Sequence, residues 1–146
     1  MGLAYARVTL ANPRRPELAP IEVDALADTG AVHLCIPEHV AVQLQLDEVD
    51  RREVTLADGS RQVASYVGPL VVSVANRKGF AGAMVLGNQV LLGVIPMEDM
   101  DLVINPKTQQ VVANPANPNI AGSIAMGVLE CAQPTCVRRK LRGTEK

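Results

Sequence analysis

A chain of 146 residues with 48% hydrophobic content can build one core but not several domains. Its formal net charge of −1 does not mark a polycationic nucleic-acid binder, and no apolar run reaches the about 18 residues of a membrane-spanning helix. Three cysteines, an odd number, fit a reducing compartment better than a disulfide framework, so a soluble, cytoplasmic protein with no membrane or nucleic-acid partner is expected.

With two Tyr, one Phe and no Trp, the interior must be packed from Val, Leu, Ile, Ala and Met, which favours sheet over helix. Charge is uneven along the chain. Residues 1–130 hold nine Lys/Arg against fourteen Asp/Glu, whereas Arg138, Arg139, Lys140, Arg142 and Lys146 make the end basic. Such an end is expected to be a solvated, flexible tail.

In chain order, residues 3–10 alternate as a first strand. Pro13, Pro16 and Pro20 then impose a loop, because proline sustains neither regular ladder. Ile21 to Ala27 alternates again, an expected antiparallel neighbour of the first strand, and delivers Asp28 to the turn Asp28-Thr29-Gly30-Ala31. Gly30 is expected to supply a backbone conformation that a Cβ forbids, and small Ala31 admits the close approach of another chain. Pro37 at a first helical position, with Glu38 behind it, favours a short helix to Leu46.

Residues 47–53 are charged and expected to be exposed. Asp58-Gly59, between Val54–Ala57 and Ser60–Val63, is a hairpin signal whose two-residue type I′ turn needs positive φ. The second strand should run towards Val74 with a break near Gly68-Pro69, followed by a turn at Asn76–Gly79 and a strand over 80–86. Val90–Leu92 ends at Gly93, and Pro96–Asp99 can form a helical turn. Met100–Ile104 and Gln109–Ala113 read as a hairpin, the latter an apolar edge suited to pairing with a second chain. Asn114–Pro118 reads as a linker.

Asp28-Thr29-Gly30-Ala31 at the end of an apolar strand, with Leu91-Leu92-Gly93 downstream, resembles the retropepsin-like aspartic proteases. In that family an Asp-Thr/Ser-Gly-Ala loop carries the catalytic carboxylate, and an apolar pair plus Gly packs beneath it. The resemblance spans residues 3–113. Residues 34–37 with Val40, Ala41 and Leu44 look like the strand and helix after the catalytic loop, and Leu56–Ser60 look like the flap tip. Val32 and Val94 depart from the pattern, standing where retropepsins carry an Asp and an Arg, and the tip has one glycine rather than several.

The resemblance implies a mainly β, closed acid-protease barrel with one or two short helices, one lobe per chain, over residues 1–114, followed by a linker and tail over 115–146. It implies that Asp28, Thr29 and Gly30 are catalytic, with Thr29 bonding across a dimer, and that Ala31, Ala57, Asp58, Gly59 and Ser60 bind an extended peptide or protein substrate. No cofactor is expected. No metal is expected either, since Cys131 and Cys136 make at most half a zinc site and His33 and His39 lie far off in sequence.

Hydrolysis through an activated water needs one group to take a proton and another to donate one, which two aspartates sharing a proton accomplish in aspartic proteases. Asp24 stands four residues from Asp28 on the same strand, roughly 13 Å away at about 3.3 Å per residue. The second carboxylate is therefore expected from Asp28 of an identical chain in a homodimer. A catalytically silent binding or dimerisation module with the same fold, and an unrelated β-domain in which Asp28 is a turn residue, are the alternatives.

Overall fold

The computed structural model describes residues 3–126. Nine strands and two helices follow in the order β1 (Ala4–Ala11), β2 (Ile21–Ala27), β3 (Leu34–Ile36), α1 (Glu38–Gln43), β4 (Asp47–Thr55), β5 (Arg61–Val74), β6 (Arg77–Val85), β7 (Val90–Leu92), α2 (Val94–Asp99), β8 (Leu102–Asn105) and β9 (Gln110–Ala113). Their lateral order is β4-β5-β6-β3-β7-β2-β1-β9-β8. Because β1 also pairs with β5, over Val8↔Val74 to Ala11↔Val71, the six strands β1, β5, β6, β3, β7 and β2 close on themselves. The fold is the expected mainly β closed barrel with two short helices.

Alternation along β1 puts Ala4, Ala6, Val8 and Leu10 inside and Tyr5, Arg7 and Thr9 outside. Val8 and Leu10 meet Leu34, Ile36, Leu70, Val72, Leu92 and Met100 in a core without an aromatic ring. β1 and β2 are antiparallel from Ala4↔Ala27 to Leu10↔Ile21. Arg7 lies opposite Asp24 on the outer face and donates to Asp24 at 3.2 Å and Glu22 at 2.9 Å, exposed pairs that contribute little stability.

Four expectations change. Residues 47–53 are exposed, half-buried Arg52 excepted, but belong to strand β4. The period-two signal is hidden there because β4 is an edge strand paired with β5 alone, so charges are tolerated on both faces. β5 runs through Gly68-Pro69 with a register shift rather than stopping. The next turn is the pair Ala75-Asn76, since Val74↔Arg77 already pair and Arg77 is buried at the start of β6. β9 is flanked by β8 and meets β1 at Tyr5↔Gln110, so the outer edge at that end is β8.

The helices hold with small shifts. α1 begins at Glu38, with Pro37 as its extended N-cap. α2 starts at Val94, two residues before Pro96, which is accommodated because first-turn N–H groups have no intrahelical acceptor.

After β9 the chain is bonded back to the barrel. The Asp101 carboxylate accepts from Asn114 Nδ2 at 3.0 Å, Asn117 Nδ2 at 2.8 Å and the Gly122 amide at 2.8 Å, while Arg77 donates to the Asn117 carbonyl and Asn76 to that of Pro118. These donors, Gly122 first, lower the Asp101 pKa. A depressed carboxylate stabilises the folded state above its unfolded pKa and loses that contribution as pH falls through the folded value. Replacing Asp101 with Ala should therefore speed amide exchange at Gly122 near neutrality. The wild-type protein should approach the mutant's behaviour only in acid below the ordinary carboxylate range, as hydrogen exchange over a pH series would show.

Candidate functional site

β2 pairs in parallel with β7, Ala27 opposite Leu92, and the Asp28 amide donates to the Leu92 carbonyl at 3.0 Å. Asp28 is thus anchored where β2 leaves the barrel. Its carbonyl accepts from the Ala31 amide at 3.1 Å, and its Oδ1 from the Gly30 amide at 2.9 Å, so the tight turn also orients the carboxylate. Gly30 does not have positive φ; its role is space, since a Cβ would stand 3.1 Å from Asp28 Oδ1. Gly93 serves the same purpose from below: a Cβ there would run into the His33 carbonyl oxygen and sit 2.8 Å from that of Ala31. The first turn of α2 fastens the loop, Val94 N–H to Ala31 O and Ile95 N–H to Val32 O, each at 2.9 Å.

Asp28 is half-buried and opens into a cleft of about 760 Å³ between this loop and the β4–β5 hairpin. Gly30, Ala31 and His33 form one wall, Arg52, Val54 and Ala57 the other. The floor is a small cluster separate from the main core, with Cys35 and Met84 buried and Leu86 and Leu91 packed against them. Burial, then the Asp28 charge, pushes the Cys35 thiol pKa up, which makes it an unreactive packing residue.

Of the sequence-predicted residues, Asp28, Gly30, Ala31 and Ala57 line the cleft; Thr29, Asp58, Gly59 and Ser60 do not. Thr29 is exposed beside Asp28. Asp58, Gly59 and Ser60 form an exposed tip whose loop has three residues rather than two. Leu56 N–H bonds Ser60 O, Gly59 N–H bonds Leu56 O, and Gly59 takes the positive φ of 86°. Asp58 Oδ1 accepts from the Ser60 hydroxyl at 2.6 Å and amide at 2.9 Å, which lowers its pKa and assigns it to the turn.

Two residues lining the cleft, Arg52 and His33, and Tyr66 behind them were not among the site residues expected from the sequence. The Arg52 guanidinium lies 3.9 Å over the Tyr66 ring, and NH1 of Arg52 is 3.4 Å from Nε2 of His33, whose ring is 5.6 Å from that of Tyr66. Gly82 makes room for Tyr66, since a Cβ at Gly82 would collide with the phenol. The available signal is Arg52 in step with Val54, obscured by the charges that surround it in residues 47–53.

Glu53, the other carboxylate lining the cleft, pairs with Arg61 at 3.3 Å. Asp99 and Asp101 border a different cavity that shares no residue with this one. Among the described residues no group of three or more His, Cys, Asp or Glu could hold a metal ion, and Cys131 and Cys136 lie outside them. No helix of the described residues is long and apolar enough to cross a membrane.

No family model matches the sequence, and no curated protein matches it. Among solved structures the chain is similar to the retroviral protease-like domain of Ddi1 from Leishmania major, at 14% identity and a TM-score of 0.48, over 88% of this chain and 100% of that one. It is also similar to Lpg0085 of Legionella pneumophila, a protein of unknown function (DUF785), at 15% identity and a TM-score of 0.37, over 69% of this chain and 91% of that one.

Proposed function

We propose that this chain is a retropepsin-like aspartic endopeptidase that works as a homodimer, with Asp28 of each subunit sharing one site. The observation that carries this reading is the placement of Asp28. It stands on an anchored turn at the mouth of a hairpin-walled cleft whose other carboxylate, Glu53, is engaged by Arg61. One carboxylate cannot both accept and donate a proton in a single step, so half a site is what one chain offers.

In the dimer, the ionised Asp28 takes a proton from a water molecule as its oxygen attacks the peptide carbonyl. The protonated Asp28 of the other copy donates to the carbonyl oxygen, and proton return to the leaving amine completes the cleavage. Gly30 and Ala31 offer backbone groups to an extended substrate, and the hairpin tip at Ala57–Ser60 closes over it and excludes water. Thr29, exposed beside Asp28, is free to bond across the two-fold axis.

Dilution tests the shared site. With unfolded casein as substrate, the initial rate of dilute protein should rise with the square of chain concentration and become linear where sedimentation shows dimer. Constant specific activity from a sedimenting monomer would overturn the shared site. Binding of casein with no cleavage at any concentration would favour the silent module.

A further inference from the structure

Over the last five residues of β4 burial alternates, Arg51, Glu53 and Thr55 being exposed and Arg52 and Val54 half-buried, and residues 52–55 all line the cleft. Neighbouring arginines of the hairpin are committed to carboxylates, Arg51 to Glu48 at 3.2 Å and Arg61 to Glu53 at 3.3 Å. Arg52 is paired as well, but through Nε only: Nε donates to Asp50 Oδ2 at 3.5 Å, while NH1, at the end of the guanidinium, lies 3.4 Å from His33 Nε2 in the cleft lining. Its plane is set by the Tyr66 face, and stacking of this kind orients a guanidinium while leaving its edge donors available.

Because arginine only donates, His33 Nε2 must be the acceptor in that contact, which requires the neutral ring with its proton on Nδ1. Burial, then the Arg52 charge, lowers the His33 pKa and keeps it in that form near neutrality. The cleft thus presents a cation, Arg52, held from behind by the Tyr66 ring, and beside it a neutral acceptor, His33.

Resting on the reading of Asp28 as the centre of a peptide-binding cleft, we infer that Arg52, stacked on Tyr66 and backed by His33, is a carboxylate-binding subsite selecting an acidic side chain in the bound peptide. The guanidinium edge takes the carboxylate in charge-assisted hydrogen bonds, for which a neutral amide is a poor substitute. Arg52 is here a specificity-determining residue, not a catalytic one.

The test uses binding rather than turnover. The Asp28→Asn protein is titrated with two acetylated, amidated heptapeptides of alanine and valine that differ by Glu or Gln at the centre, and the Tyr66 and His33 ring signals are followed by NMR. The Glu peptide should bind about tenfold more tightly than its Gln twin and move both rings. Adding Arg52→Gln should bring the ratio to about one, and Arg52→Lys, which keeps charge without the planar fork, should leave it in between.

Equal affinities in the Asp28→Asn protein, absence of saturable binding by the Glu peptide, or an undiminished ratio with Arg52→Gln would each overturn the subsite. In the last case Arg52 serves only its contact with Asp50. Casein hydrolysis by the wild-type protein separates the two readings: hydrolysis without a Glu preference removes the subsite alone, and a Glu preference without hydrolysis removes the protease and leaves the subsite.

Discussion

Asp28→Asn should reduce peptide hydrolysis by at least about 10²-fold, the lower range for loss of a positioned acid–base group, and leave the barrel standing. The substitution is nearly isosteric, and the retained side-chain oxygen can still accept from the Gly30 amide, the bond of 2.9 Å that shapes the turn. The Asp28 backbone amide keeps its bond to Leu92. What disappears is the titrating carboxylate, and in a homodimer it disappears twice. Casein cleavage at matched dimer concentration, with circular dichroism to establish the fold, measures both halves of this expectation. Cleavage at the wild-type rate would show that Asp28 is a turn residue and nothing more.

Gly93→Ala should destabilise the protein by about 1–3 kcal/mol, the range for forcing a methyl group into a packed site. The backbone at Gly93 has φ −83°, which any residue adopts, so strain at that position is not the cause. The cause is backbone meeting backbone: the added Cβ collides with the His33 carbonyl and approaches that of Ala31. Neither oxygen belongs to a side chain that can swing away. Relief requires moving the Asp28 loop or the start of α2, which breaks the bonds of Val94 and Ile95 to that loop. Hydrolysis should fall together with stability, and a shifted denaturation midpoint at unchanged slope would measure the loss. An Ala variant of wild-type stability would mean that the loop and β7 are not in contact as described.

Gly93 also shows where sequence reading is strong and where it stops. A Gly after an apolar pair is visible in the sequence, but whether it serves conformation or space is not. At Gly30 the expected positive φ is absent and proximity to Asp28 explains the residue, whereas Gly59 does have positive φ, in a three-residue loop. Both reasons suit the same residue type, and only the coordinates separate them.

β4 was hidden for a related reason. Alternation is a signature of one buried face, and an edge strand standing mostly in solvent lacks one, so Asp47–Glu53 carries the composition of a loop. The site was affected in turn. Arg52, Tyr66 and His33 come from β4, from β5 and from the loop before β3, and nothing local in any of the three segments indicates that they meet.

By itself, the sequence determined the mainly β character, the aliphatic core without aromatic rings, the antiparallel β1–β2 pair and the delivery of Asp28 to a turn at the end of an apolar strand. The core follows from composition, and the rest from patterns local in the chain, namely period-two burial, proline punctuation and the chemistry of Asp-Thr-Gly. Only the tertiary structure decided the closure of the barrel through β1 and β5, the steric purpose of Gly30 and Gly93 and the assembly of the Arg52 wall opposite Asp28. Those features depend on which distant segments come into contact, and a residue's identity does not record the atoms that will surround it once the sheet has closed.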